Sequence, residues 1–144
     1  MDRRGHGMVS AAMFGLAVGV GLLAIYIASP EIALVYLALG AVLFVVVLWG
    51  FCARCPHRGA GCIRLIPGVL ASLLPARKCQ PYSPRETAGV VVALLFLLLF
   101  PQLWLIASLP LLVLFWALVA AAAVEIRVAV CRGCANIYCP ACPR

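Results

Sequence analysis

Residues 87–130 read TAGVVVALLFLLLFPQLWLIASLPLLVLFWALVAAAAVEIRVAV, and the way this stretch divides decides the fold. Its only charged side chains are Glu125 and Arg127, both close to its end. About 20 apolar residues cross the hydrocarbon core of a bilayer as a helix, so the stretch holds two spans and one turn. A turn at Pro101-Gln102 leaves only Ala88 to Phe100 for the first of them, too short to cross. A turn at Ser108-Leu109-Pro110 instead gives spans over Thr87–Ala107 and Leu111–Val130. That division is the expectation, and it places Pro101 inside the third helix. There the missing N–H and the ring should kink the chain, which neighbouring helices of a membrane bundle can tolerate.

The first half of the chain has the same outline. Met8–Ser29 and Glu31–Phe51 are each long and apolar enough to span, separated by the tight Ser29-Pro30-Glu31 turn. The opening residues Met1 to Gly7 resemble the charged start of a signal peptide. The long apolar run behind them, with Pro30 after the one cleavage-like site, predicts an uncleaved first helix. Of 144 residues, 67% are hydrophobic and only 15 (11 basic, 4 acidic) are charged. A soluble domain is about one quarter charged, so this chain must meet lipid. The sequence therefore predicts an all-α integral membrane protein with four transmembrane helices, arranged as two parallel-repeat hairpins. Residues 1–52 form the first hairpin, 53–86 a loop carrying Cys and Arg, 87–130 the second hairpin and 131–144 a Cys-rich tail.

The eleven basic residues fall into three groups: Arg3 and Arg4; Arg54, Arg58, Arg64, Arg77, Lys78 and Arg85; and Arg127, Arg132 and Arg144. The two short turns, around Pro30 and Pro110, contain none. Lys and Arg near span ends stay on the cytoplasmic side. The expected topology has both termini and the long loop in the cytoplasm, in an inner or plasma membrane. The net charge of +7 is then chiefly a topology signal. Its expected partners are the bilayer itself, anionic lipid head groups and a protein partner in a membrane complex. Nucleic acid is not among them.

A gapless shift of 79 residues lays Ser29 on Ser108, Cys52 on Cys131 and Cys55 on Cys134. Each half is thus a hairpin followed at once by Cys-x-x-Cys, which implies a pseudo-twofold axis along the membrane normal. Within the first helix, Ala11, Gly15 and Gly19 form a small-residue stripe that lets another backbone approach. Packing inside the bundle is expected of it, ahead of a contact with another subunit. In the long loop, Ile63–Leu74 is apolar but too short to span. It is expected to form a short interfacial helix or a lid on the bundle.

The chemistry lies in the cysteines. One cluster comprises Cys52, Cys55, Cys62 and Cys79, with His57 between them; the other comprises Cys131, Cys134, Cys139 and Cys142. Cytoplasmic thiols are usually kept reduced, so paired Cys-x-x-Cys spacing favours metal or redox chemistry over structural disulfides. Two residues between cysteines let both sulfurs meet one point. Two such pairs supply the four soft ligands of a closed tetrahedral site. Neighbouring arginines lower thiol pKa and offset thiolate charge. Zinc is the expected metal, and Cys139-Pro140-Ala141-Cys142 matches the C-P-x-C form of zinc knuckles. Iron–sulfur clusters are the alternative, since Pro follows Cys55, Cys139 and Cys142. The stretch Gly50-Phe51-Cys52-Ala53-Arg54-Cys55-Pro56 also resembles the cysteine motifs of polytopic membrane ferredoxins, although their usual spacing is Cys-x-x-x-Cys-Pro. The sets could close locally, with Cys79 or His57 completing the first. Alternatively Cys52, Cys55, Cys131 and Cys134 could close one crossed site. His57 is more readily read as a solvated loop residue than as a ligand.

A thiol–disulfide oxidoreductase fits less well, because the expected topology keeps every cysteine inside. A heavy-metal carrier lacks a cysteine within a span. The carboxylates Asp2, Glu31, Glu86 and Glu125 suggest no general acid–base pair. Glu125, the acid within an apolar run, is expected to form an interfacial ion pair with Arg127; proton relay or quinone contact is the other reading. The expectation is a non-catalytic accessory or complex subunit with a zinc-ligated cap. The alternative is an electron-transfer subunit with iron–sulfur clusters near a quinone.

Overall fold

The computed structural model describes residues 3–54, 65–75, 77–78 and 81–133. All regular structure among them is helical. Helix α1 runs Arg3–Ala28, α2 Pro30–Gly50, α3 Leu65–Ser72, α4 Pro84–Leu99, α5 Gln102–Leu105 and α6 Leu109–Glu125. Short 3₁₀ turns occupy Cys52–Arg54 and Cys131–Gly133, and a π-helical turn spans Ile126–Val130. Four segments are long and apolar enough to cross a membrane: Gly5–Ala28, Pro30–Arg54, Pro84–Leu105 and Leu109–Val130. The chain has the form of a multi-pass membrane protein. The breaks between the first and second spans and between the third and fourth fall at the expected serines, Ser29 and Ser108, each in extended backbone with Pro in the first turn of the helix that follows. Pro suits that place, since the amide it lacks has no partner in the first turn.

α1 packs against both α2 and α6, and α2 packs against α4. Of the third span, it is the short α5 that adjoins α6, beside the turn. The N-terminal end of α1 meets the π-helical turn after α6, and α3 lies across α1, α2 and the Cys52–Arg54 turn. One end of the bundle therefore gathers the start of the chain, the long loop and the exit of the last span.

The third span breaks where Pro101 sits: α4 stops at Leu99 and α5 begins at Gln102. Pro101 has no N–H to give the Leu97 carbonyl, and its ring crowds that carbonyl. Two side chains serve the carbonyls on this stretch. Tyr36 Oη on α2 donates to Leu97 O at 2.9 Å, and Gln102 Nε2 donates to Leu98 O at 2.7 Å. Gln102 Oε1 in turn accepts from Trp116 Nε1 on α6 at 3.1 Å. Lipid offers no water to bare carbonyls, so a kink within a span requires such partners. The Tyr36 ring, 1% exposed, stacks on Phe100 with centroids 5.5 Å apart.

Gly21 receives this kink. A Cβ there would lie 3.0 Å from Pro101 Cβ and 3.5 Å from Phe115 Cε2, so α1 approaches the break only because position 21 has no side chain. The buried stripe of α1 runs through Gly7, Ser10, Ala17, Gly21 and Ala24. This corrects the expectation for Ala11, Gly15 and Gly19. Gly15 and Gly19 face outward, with nothing within 4 Å of an added Cβ, and Ala11 is half-buried. The two stripes lie two residues apart in sequence. Spacing alone does not choose between them, because lipid is as apolar as a helix neighbour.

Candidate functional site

Cys52 and Cys131 are the described members of the cysteine clusters, and both are half-buried. Each opens a 3₁₀ turn at the exit of a span, Cys52–Arg54 after α2 and Cys131–Gly133 after the π-helical turn. Cys55, His57, Cys62, Cys79, Cys134, Cys139 and Cys142 lie outside the described residues. Among the described residues, no three of His, Cys, Asp and Glu gather as a metal would require.

The surroundings of Cys52 form a clasp. The Ala53 carbonyl accepts from the Arg77 amide at 3.2 Å, which ties the start of the long loop to its return. Arg54 Nη2 and Arg77 Nη1 both reach Glu86 Oε1, at 2.7 and 3.0 Å. Arg54 Nη1 also donates to Pro81 O at 3.4 Å. Glu86 is placed by a capping box: its Oε2 accepts from the Ser83 amide at 3.0 Å, and its own amide donates to Ser83 Oγ at 3.3 Å. This arrangement satisfies two of the orphan donors at the start of α4 and aims the carboxylate at the arginines. Phe51 stacks on Tyr82 with centroids 4.5 Å apart, and Tyr82 Oη donates to Phe51 O at 3.3 Å. The Arg77 guanidinium sits 5.5 Å from the centroid of the Trp49 ring.

The exit of the last span is held differently. Glu125, the final residue of α6, pairs with His6 Nδ1 from the first turns of α1. Arg127 is exposed. Residues two apart on a helix do not face one another, which is why the expected Glu125–Arg127 pair gives way to a partner 119 positions upstream. Beside His6, Ser10 is buried and its hydroxyl donates to Gly7 O at 3.1 Å. Sequence reasoning missed His6; the one local sign was a histidine at the edge of an apolar run. A double-mutant cycle on H6A and E125Q should give a coupling of about 1 kcal/mol, as for a partly shielded pair. Reversible unfolding in mixed micelles measures it. A coupling near zero would show that the contact adds nothing to the join between α1 and α6.

α3 occupies part of the stretch read as Ile63–Leu74. Gly68 and Ala71 turn inward, while Val69, Leu70 and Leu73 are exposed, Leu73 by 78%. A segment too short to span, packed on the end of a bundle and apolar on its free face, is suited to the interface. α3 rests on α1, α2 and the Cys52–Arg54 turn, as a lid would.

Comparison with protein-family models, with curated proteins and with solved structures finds no match.

Proposed function

We propose that the chain is a non-catalytic subunit of a membrane complex whose thiols bind zinc in a cap at the basic end of the bundle. The observation that carries this reading is the matched placement of Cys52 and Cys131. Both begin a Cys-x-x-Cys, and both stand on a 3₁₀ turn at the exit of a span. The Ala53–Arg77 hydrogen bond favours local closure of the first cluster. Arg77 is held beside Ala53, one position from Cys52, and Cys79 follows Arg77 by two residues at about 3.8 Å each. A cap of this size, rich in Gly and Pro, has little core of its own, and metal ligation supplies folding energy in such segments. Arginines around the thiols favour the thiolate form that zinc needs. The basic loop and termini belong in the cytoplasm of an inner or plasma membrane, with the bare turns outside.

Anaerobic purification followed by metal analysis and a visible spectrum tests the proposal. The expected protein is colourless with one or two zinc ions per chain, and C52S and C131S each lower the zinc content by up to one ion. Brown protein with iron and acid-labile sulfide would replace zinc by iron–sulfur clusters and make the chain an electron-transfer subunit. Metal-free protein with paired cysteines would defeat both readings. A membrane-impermeant thiol reagent applied to intact cells should leave all eight cysteines unmodified; labelling would reverse the orientation.

A further inference from the structure

We propose that the Trp49–Arg77 cation–π pair and the cations beside it form a binding site for the phosphate of an anionic phospholipid. Three features of one end of the bundle lead there. The first is an excess of charge. Arg54 and Arg77 share the single carboxylate of Glu86, while Lys78 and Arg85 are exposed alongside it in sequence. Four cations and one anion leave this surface at +3. The second is the posture of Arg77. Its guanidinium is held on one side by Glu86 and across one face by the partly exposed Trp49 ring. A guanidinium carries five N–H donors in a rigid plane. One nitrogen is committed to Glu86, and the cation–π contact with Trp49 holds the guanidinium without consuming its other donors. Such a fork matches phosphate better than a mobile ammonium does.

The third feature supplies the depth. Trp favours the boundary between acyl chains and head groups. At the same end, α3 leaves Val69 and Leu70 exposed, and Leu73 just after it is exposed as well, all in a segment unable to span. Apolar side chains of this kind enter the upper acyl region while the cations remain at head-group level. A lipid seated here would lay its acyl chains beside α3 and its phosphate against Arg77. Phosphate chemistry alone would also admit free phosphate. The adjoining apolar face favours the lipid, since an inorganic ion makes no use of it.

Glu86 gives the proposal an unusual test, because it competes with the ligand for the same guanidinium. E86Q keeps the capping box, since Gln serves at that position as Glu does, but removes the charge that occupies Arg77. The full chain is reconstituted in vesicles of equal parts phosphatidylcholine and phosphatidylglycerol, and the lipid retained on the released protein is counted by native mass spectrometry. The wild type should retain phosphatidylglycerol in preference. R77Q should lower that preference about fivefold, the contribution of roughly one surface cation. R77K should restore it only in part, and E86Q should raise it. Millimolar inorganic phosphate should leave it unchanged. Unchanged helical content by circular dichroism shows that each variant is folded. Equal retention of the two lipids, an R77Q protein that binds like wild type, or an E86Q protein that binds less would each overturn the site. Displacement by inorganic phosphate would make it an ion site rather than a lipid site.

Discussion

Leucine at position 21 should destabilise the bundle far more than leucine at Gly15 or Gly19 of the same helix. The added Cβ alone would meet Pro101 Cβ at 3.0 Å and Pro101 Cγ at 3.1 Å, and the rest of the side chain must enter space already held by Phe115. Proline cannot rotate out of the way, because its ring is part of the backbone. Overpacking a close contact costs about 1–3 kcal/mol, and a whole isobutyl group against a rigid ring belongs at or above the top of that range. G15L and G19L are the controls. Both positions face outward with nothing within 4 Å of an added Cβ, so each should change stability by less than about 0.5 kcal/mol. Reversible unfolding of the three variants in mixed micelles, followed by circular dichroism, ranks them. A G21L protein as stable as G19L would mean that α1 does not carry the kink.

The second large effect concerns the carbonyls at that kink. Q102L removes the donor to Leu98 O and the acceptor for Trp116 Nε1 in one step. An unpaired buried polar group costs about 1–3 kcal/mol. Hydrogen bonds between membrane helices average nearer 0.6 kcal/mol, so a loss of about 1–2 kcal/mol is expected. Y36F removes the Leu97 donor and should cost about 1 kcal/mol. The two losses have different cures. In a P101A background, residue 101 regains an amide that can bond Leu97 O, so Y36F should become nearly neutral there. Q102L should still cost its contact with Trp116. A double-mutant cycle between Y36F and P101A, read by the same unfolding measurement, should therefore give a coupling close to the whole cost of Y36F. Simple additivity would show that the Tyr36 hydroxyl contributes by something other than serving the Leu97 carbonyl.

The number of spans was legible because length and charge are nearly sufficient for it. Four apolar runs, paired across one Ser-Pro turn and one Ser-x-Pro turn, admit few other divisions. The thirteen residues before Pro101 ruled out the rival turn. Which face of each helix packs was not legible. In a soluble bundle the polar face marks the outside, but here Leu23 and Ile25 are equally apolar although one is exposed and the other buried. Glu125 was recognised as unusual, yet its partner came from the other end of the chain, where no local spacing rule reaches. The clasp around Glu86 was half legible. Ser83-Pro84-Arg85-Glu86 has the capping-box pattern, but that Arg54 and Arg77 would share its carboxylate depends on how the long loop returns. As for the cysteines, spacing named the candidates, and the fold adds that the first member of each cluster stands where a spanning helix ends.

The break at Pro101 also bears on how the protein is made. Membrane helices enter the bilayer one after another in chain order, N-terminal segments first. When the third helix arrives, the Leu97 carbonyl needs a donor at once, and Tyr36 has already been delivered on the preceding hairpin. Gln102 carries its own remedy for Leu98 within the same segment. Only Trp116, which secures Gln102, is still to come. The kinked helix is thus served from earlier in the chain and from within itself, and the last helix locks an arrangement that can form before it. A chain truncated after α5 should hold three helices in the membrane, whereas the second half translated alone would bring the kink into lipid without the tyrosine it relies on.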